Sequence, residues 1–117
     1  SMSKKVDGFV FPTDNVVVAG MAVVLRTTVP AHQVTVSGDM GSLAAGCTAA
    51  MTVDYYKLGL QAAQLGADIL EGRTTAAETP IGVQDVKNPT FNVTAMKRLG
   101  LEIPEDLKAG ALLWQKK

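Results

Sequence analysis

The sequence has 117 residues, 47% of them hydrophobic and 19% charged, and its net charge at pH 7 is zero. A chain of this length can bury one core, and nothing in its composition indicates disorder, a basic nucleic-acid-binding face or a surface for anionic membranes. Eleven glycines and few aromatic residues favour turn-rich α/β packing over an all-β sandwich.

The beginning of the chain gives little information about location. Ser1 and Met2 are interpreted as an added residue followed by an internal start, and a signal peptide is expected to be absent from this chain. No apolar run reaches the roughly 18 residues that a transmembrane helix needs.

The first predicted strand is the apolar run of residues 8–11, which suits a strand covered on both faces. A proline ends it, and either Thr13 or Asp14 then caps a helix. Residues 16–25, VVVAGMAVVL, are apolar on every face, which predicts a helix packed on most sides. Three consecutive valines also fit a strand, but the length of the run and the cap favour the helix.

The next segment is predicted to form two more strands with a turn between them. Residues 34–36 form the second strand, and the turn SGDMG follows it, with two glycines around one acid. Ser42 is expected to cap a short helical turn over residues 43–45, which Gly46 closes. Residues 49–53 alternate weakly between apolar and polar, which predicts a third strand.

The clearest helical pattern begins at an Asp54 cap and ends before Gly72, a favourable residue after a helix C-terminus. Its apolar positions follow helical spacing at Leu58, Ala62, Leu65 and Ile69. Tyr55 and Tyr56 are expected to be half-buried rings on this helix, and an aromatic wall for a ligand is the alternative.

The remaining residues are predicted to contain a polar turn, two weak strands and two short helices. The turn covers residues 73–80, the strands 81–86 and 90–93, and the first helix 94–99. The last helix begins at Pro104 and carries Leu107, Leu112, Leu113 and Trp114.

The alternation of strands and helices predicts an α/β fold with a mostly parallel sheet and helices on both faces. In such sheets, ligands bind beyond the carboxyl ends of the strands. Thr13, Asp14 and Asn15 follow the first strand, and Asp39 follows the second. These four polar side chains are therefore predicted to face a cleft rather than the core.

The chemistry of these residues suits a small polar ligand. Asp14 can accept hydrogen bonds from an ammonium group or sugar hydroxyls, Asn15 offers donors and acceptors, and Thr13 offers a hydroxyl. The free N–H groups at the start of the following helix suit a carboxylate. The structural alternative is that Thr13 or Asp14 serves only as the helix N-cap, which stabilises by about 1 kcal/mol.

No catalytic constellation accompanies these residues. Cys47, the single cysteine, lies among small apolar residues and is expected to be buried, and the single histidine, His32, lies in a polar turn. A pair formed by Asp14 and Asp39 would need a nucleophile or a metal, and no histidine or cysteine cluster supplies one. The turn SGDMG is neither a dinucleotide fingerprint nor a Walker loop. The sequence therefore predicts no enzyme activity, no cofactor and no metal site.

Several strings occur in an order that identifies a family. They are DGFVFPTDN, then SGD followed by small residues, then AAMTVDYYKLGLQAAQLGADILEG, and finally NVTAMKRLGLEIPEDLKAGA. Together they resemble the substrate-binding proteins of ABC importers, most of all the uncharacterised or tryptophan-binding type with the type I periplasmic-binding-protein architecture. The resemblance extends over nearly the whole chain.

This resemblance implies a fold of two Rossmann-like lobes joined by three crossovers, which close on a ligand. Residues 3–117 would then be the C-terminal portion of such a protein. Residues 3–38 and 81–117 would belong to the C-terminal lobe, residues 42–80 would contribute to the N-terminal lobe, and the turn GDMG would be a hinge. A partial chain of this kind is expected either to pair with a second copy or to rearrange into one compact domain.

The resemblance also implies site residues. Thr13, Asp14 and Asn15 match the PTDN motif that lines the cleft, and Asp39 matches an acid on the hinge side of the pocket. Met40 stands where the family often has an acid, which leaves the identity of the ligand open. Tyr55 and Tyr56 match a YY pair, for which a structural role is carried over.

The function implied is the binding of a small amino-acid-like molecule and its delivery to a membrane permease, without nucleic acid as a partner. The location implied is extracytoplasmic, either in the periplasm or lipid-anchored at the outer face of the cell membrane. The alternatives are a ligand-sensing domain of a regulator and a doubly wound α/β enzyme that uses Asp14 or Asp39 as a general base.

Overall fold

A computed structural model describes residues 2, 5–86 and 88–115. The elements in chain order are β1 (Gly8–Phe11), α1 (Asn15–Thr28), β2 (Val34–Ser37), α2 (Met40–Ala45), β3 (Ala49–Ala50), α3 (Tyr55–Leu70), β4 (Thr90–Asn92), α4 (Val93–Leu99), α5 (Glu105–Lys108) and β5 (Leu112–Trp114). The chain divides into two compact units: residues 53–85, which contain α3, and the rest, which contains the other elements. In the described part of the chain, no helix has the length and apolar character needed to cross a bilayer.

The larger unit is built on one five-stranded sheet in the order β1-β2-β3-β4-β5. The β1/β2, β2/β3 and β4/β5 pairs are parallel, and β3/β4 is antiparallel, with Ala49 opposite Phe91. The predicted α/β class with a mostly parallel sheet is confirmed. Because of the one antiparallel pair, β1, β2 and β3 end at one edge of the sheet, and β4 and β5 end at the opposite edge.

Helix α1 forms where the sequence predicts a helix, but it is buried along one stripe only. Met21, Leu25 and Thr28 are buried, at spacings of four and three residues. Val16 is 81% exposed and Val23 is 65% exposed on the other side of the helix. The expectation of a helix packed on most sides is therefore wrong, because a single layer of sheet and neighbouring helix covers one face of α1.

Helix α2 begins one turn earlier than predicted. Its N-cap is Asp39, whose side chain accepts a hydrogen bond from the backbone N–H of Ser42, so Ser42 is not the cap. Aspartate and serine are both good N-cap residues. Asp39 is the cap here because β2 ends at Ser37, which leaves the chain free to begin a helix directly after Asp39. Gly46 closes the helix at φ 132°, which the sequence predicts.

Buried hydroxyl groups join β2 to the segment before β3. The backbone N–H of Thr35 donates to Oγ1 of Thr48, and the backbone N–H of Thr48 donates to Oγ1 of Thr35, each at 3.2 Å. Both residues are almost fully buried, so these reciprocal bonds satisfy polar groups that would otherwise be costly in the core.

Three predictions about strands and the last helix are wrong. The third strand has two residues, Ala49–Ala50, and residues 81–86 form no strand. The last helix ends at Lys108, and Leu112–Trp114 is the strand β5, paired with β4. Gly110 interrupts the helical pattern, and the ladder with β4 gives the backbone after it hydrogen-bond partners that a short helix would not.

The smaller unit, residues 53–85, consists of α3 and the irregular segment that follows it. Asp54 caps α3 by accepting from the backbone N–H of Lys57, and Gly72 follows the helix at φ 71°, as predicted. The side-chain amide of Gln84 bonds to both backbone polar groups of Asp54, at 3.0 Å each. This pair of bonds ties the end of the unit to the start of its helix.

The apolar stripe of α3 is only partly covered, since Leu58 and Leu65 are half-buried whereas Ala62 and Ile69 are exposed. No residue of α3 is buried, and Ile69 is 37% exposed. Tyr55 and Tyr56 are 61% and 76% exposed, so the expectation of half-buried rings is wrong.

At the other end of α3, hydrogen bonds from Arg73 and Gln64 hold the pKa of the Asp68 carboxyl below its usual value.

Candidate functional site

Two polar loops meet at the sheet edge where β1 and β2 end. Because these strands are parallel neighbours, residues 12–14 after β1 and residues 38–39 after β2 leave the sheet side by side. The backbone N–H of Gly38 donates to the carbonyl oxygen of Phe11 at 2.9 Å, and the hydroxyl of Thr13 donates to the carbonyl oxygen of Gly38 at 2.9 Å. The structure thus brings Thr13, Asp14 and Asp39 together in two adjacent loops, and Asn15, the fourth predicted residue, follows directly as the first residue of α1.

Asp14 is the N-cap of α1, which decides between the two caps that the sequence allowed. Its Oδ1 accepts from the backbone N–H groups of Val16 at 2.9 Å and Val17 at 3.0 Å. Both cap bonds fall on one oxygen, and Oδ2 has no hydrogen-bond partner among the described residues. Since the residue is exposed, its carboxylate can cap the helix and bind a cation at the same time.

Thr13 and Asn15 flank Asp14 and are also exposed. The hydrogen of the Thr13 hydroxyl is engaged by Gly38, which leaves its oxygen as an acceptor only. The side-chain amide of Asn15, the first residue of α1, makes no hydrogen bond within the described part of the chain. Asn15 therefore offers a donor and an acceptor beside the free oxygen of Asp14.

Asp39 lies in the neighbouring loop but uses its carboxylate internally. The residue is 9% exposed. Its Oδ1 accepts from the backbone N–H of Ser42, and its Oδ2 accepts from the hydroxyl of Ser42, each at 2.7 Å. A ligand would have to compete with Ser42 for either oxygen. The sequence contains a pattern that predicts this cap: Asp39 lies three residues before Ser42, which is the spacing between an N-cap side chain and the backbone N–H that donates to it.

Cys47 is buried, as predicted. Its side chain is 0% exposed, and its thiol lies 3.5 Å from the sulfur of Met21. Burial raises the pKa of the Cys47 thiol, and hydrogen bonding with Thr35 opposes that rise only in part. A buried neutral thiol is a packing group rather than a nucleophile. Within the described residues, no three side chains of the metal-binding types come together.

A separate concavity of about 180 Å³ lies at the opposite edge of the sheet. Its lining includes Ala44, Gly46, Asn92, Thr94, Arg98 and Trp114. Arg98 donates through Nη2 to the carbonyl oxygen of Gly46 at 3.3 Å. None of the four predicted site residues lines this cavity. No local pattern predicts this cavity, because its lining residues come from segments far apart in the chain.

Comparisons with known proteins identify the family. The family model described as ABC transporter substrate binding protein matches residues 1–113. A curated tyrosine-binding protein from Clostridioides difficile (strain R20291) is 28% identical over 102 residues, which are 87% of this chain and 29% of that protein.

Solved structures agree in fold. A conserved domain protein from Vibrio cholerae matches with a TM-score of 0.78 and 27% identity, over 98% of this chain and 38% of that chain. A domain from Streptococcus pneumoniae in complex with L-Trp matches with a TM-score of 0.79 and 24% identity, over 96% of this chain and 38% of that chain.

The chain thus spans 29% of the length of the curated relative and 38% of the matched structures. At 24% identity, the Streptococcus pneumoniae structure shows the fold alone. The match to the family model extends over nearly all of the sequence. The chain therefore belongs to the family of ABC transporter substrate-binding proteins.

Proposed function

We propose that this chain is part of a protein that binds a small amino-acid-like molecule and delivers it to the permease of an ABC importer. The observation that carries the proposal is the exposed carboxylate of Asp14 at the carboxyl end of β1. Its Oδ1 accepts hydrogen bonds from the first turn of α1, and its Oδ2 makes no hydrogen bond to the described residues. A free, fixed carboxylate oxygen of this kind suits the ammonium group of an amino acid.

Asn15 supplies the second contact in this proposal. Two of the backbone N–H groups at the start of α1 already donate to Asp14, so the carboxylate of the ligand is assigned to the side-chain amide of Asn15 rather than to those groups. The positive end of the 14-residue helix α1 favours a ligand carboxylate at the same place. Thr13 and Asp39 complete the proposed site, Asp39 by holding the shape of the turn that leads into α2.

The protein in its natural length is proposed to have two lobes that close on the ligand and thereby signal to the permease. Residues 3–52 and 86–117 are assigned to the C-terminal lobe, and residues 53–85 to the N-terminal lobe. The compact unit 53–85 supports this division. Since α2 and β3 belong to the sheet-containing unit, we place the crossings near residues 53 and 85 rather than at 42 and 80.

The proposed location is extracytoplasmic, in the periplasm or lipid-anchored at the outer face of the membrane, where an importer collects its substrate. Binding without chemical conversion is all that this role requires. The similar protein from Clostridioides difficile bears the name tyrosine-binding, so aromatic L-amino acids are the first ligands to test.

A thermal-shift panel on the protein in its natural length tests the proposed function. L-tyrosine, L-tryptophan and other L-amino acids are compared with unrelated metabolites and with N-acetyl amino acids, which lack the ammonium group. We expect one or a few free amino acids to stabilise by about 2.7 kcal/mol at 100 times the dissociation constant. The N-acetyl forms should give no shift. Equal stabilisation by the acetylated forms, or conversion of the amino acid, would contradict the proposal.

The isolated 117-residue chain is proposed to associate with itself through its outer strands. β1 and β5 are the two ends of the sheet order, and on them Val10 is 79%, Leu112 57% and Leu113 66% exposed. Apolar edge strands pair readily with other chains. We expect light scattering to give at least twice the mass of 12.3 kDa, and Val10→Lys to lower it. A single species at 12.3 kDa would rule out this association.

A further inference from the structure

We infer that Thr13 is a positioning residue: its hydrogen bond to the carbonyl oxygen of Gly38, the Thr13–Gly38 link, fixes the loop that carries Asp14 against the loop that carries Asp39. The inference rests on the proposed amino-acid site and assigns Thr13 a role other than direct contact with the ligand.

The geometry of the Thr13–Gly38 link supports this role. The hydroxyl of Thr13 donates at 2.9 Å to a residue 25 positions further along the chain. A second bond, from the backbone N–H of Gly38 to Phe11 at 2.9 Å, extends the β1/β2 ladder up to the same point. The hydroxyl has one hydrogen, and Gly38 holds it, so Thr13 has none left to donate to a ligand.

The two loops approach each other closely at Gly38 and Thr13. A Cβ placed on Gly38 would lie 2.7 Å from Oγ1 of Thr13, closer than Cβ atoms approach other atoms, and 3.0 Å from the backbone nitrogen of Thr13, which is a tight contact. This close approach therefore favours glycine at position 38, because any larger residue there would displace the Thr13 hydroxyl.

The contact continues into the turn that holds Asp39. The hydroxyl of Ser37 donates to the carbonyl oxygen of Asp39 at 3.0 Å. A Cβ on Gly41 would lie 3.1 Å from Oδ1 of Asp39, so this glycine lies close against the Asp39 carboxylate in the first turn of α2. Because Gly38 is bonded to Asp39 and the Ser37 hydroxyl closes the same turn, we expect a movement of Gly38 to displace Asp39 relative to Asp14.

Two substitutions separate the hydroxyl from the volume of Thr13. Thr13→Val keeps the shape and removes the hydroxyl, whereas Thr13→Ser keeps the hydroxyl and removes a methyl group. In the protein of natural length, we expect Thr13→Val to bind L-tyrosine or L-tryptophan about tenfold more weakly by calorimetry, and Thr13→Ser to bind within about twofold of the original chain.

Hydrogen exchange of the unliganded protein gives a readout that needs no ligand. In Thr13→Val, the backbone amides of residues 38–42 should exchange about tenfold faster, and in Thr13→Ser at the original rate. Gly38→Ala should act like Thr13→Val because its Cβ displaces the hydroxyl. Adding Thr13→Ala to Gly38→Ala should lower the affinity no further than either change alone, because each already removes the hydrogen bond of the Thr13 hydroxyl to Gly38.

The outcomes distinguish this inference from the proposed function. If the unsubstituted protein binds none of the amino acids, the proposed function fails. Independently of that result, unchanged hydrogen exchange at residues 38–42 in Thr13→Val would overturn the structural role of the Thr13–Gly38 link. If the original chain binds and Thr13→Val binds equally well, Thr13 positions nothing for the ligand. An equal loss of affinity in Thr13→Ser would make Thr13 a direct contact and would overturn the inference.

Discussion

Replacing Asp14 by asparagine is expected to weaken amino-acid binding by about tenfold to a hundredfold while leaving the stability of the protein nearly unchanged. Asparagine caps helices as well as aspartate does, because its amide oxygen can accept the two bonds that Oδ1 of Asp14 accepts from Val16 and Val17. What it lacks is the negative charge for the ammonium group of the ligand. Hydrogen bonds to charged groups contribute about 1.5–3 kcal/mol, which corresponds to the stated range in affinity.

Calorimetry and thermal unfolding on the same samples measure the two effects separately. Asp14→Ala loses the cap as well as the charge, so it should bind as weakly as Asp14→Asn and also lose about 1 kcal/mol of stability. Asp7→Asn is the matched control, because it removes an exposed negative charge just before β1, at the opposite edge of the sheet. We expect Asp7→Asn to bind like the original chain. Full affinity in Asp14→Asn would show that the carboxylate only caps α1.

The elements predicted correctly are those whose signals are local. Asp14 before α1 and Asp54 before α3 are strong caps, and the segments that follow are long enough for the helical pattern to be read. β1 is also recognisable because an apolar run ends at a proline. In each case the residues that decide the structure lie within one turn or one strand of each other.

The elements predicted wrongly depend on contacts between distant segments. Leu112–Trp114 has the composition of a helix face but forms a strand because it pairs in parallel with β4. The sequence of these three residues alone does not predict that pairing. The exposure of Val16 and Val23 is likewise set by which side of α1 the sheet covers. Local pattern predicted that α1 is a helix, and only packing determines which residues it buries.

The same division applies to the candidate site. The sequence placed Thr13, Asp14, Asn15 and Asp39 near one edge of the sheet, since parallel strands end together. It did not predict how the acids differ: Asp14 keeps one oxygen free, whereas both oxygens of Asp39 accept hydrogen bonds from Ser42. That difference arises from atomic distances within two similar caps, which residue types alone do not specify.

Leu43→Ala is expected to have the largest effect on stability, a loss of about 2–5 kcal/mol in the free energy of unfolding. Leu43 is 0% exposed, in a helix that packs against β2, β3 and β4. Alanine leaves a cavity that the surrounding sheet cannot close, because the position is also fixed by a bond from the side-chain amide of Asn92 to its carbonyl oxygen at 2.9 Å. Against a typical total of about 5–15 kcal/mol, this loss threatens folding itself.

Urea unfolding, followed by circular dichroism, measures this loss against a matched variant. Val23→Ala also shortens an aliphatic side chain on a helix, but Val23 is 65% exposed, and alanine favours helices more than valine does. Its stability should stay within about 0.5 kcal/mol of the original. If Leu43→Ala loses no more than Val23→Ala, then α2 is not packed against the sheet as described. The turn at Asp39, which α2 holds in place, would then have no rigid support beside Asp14.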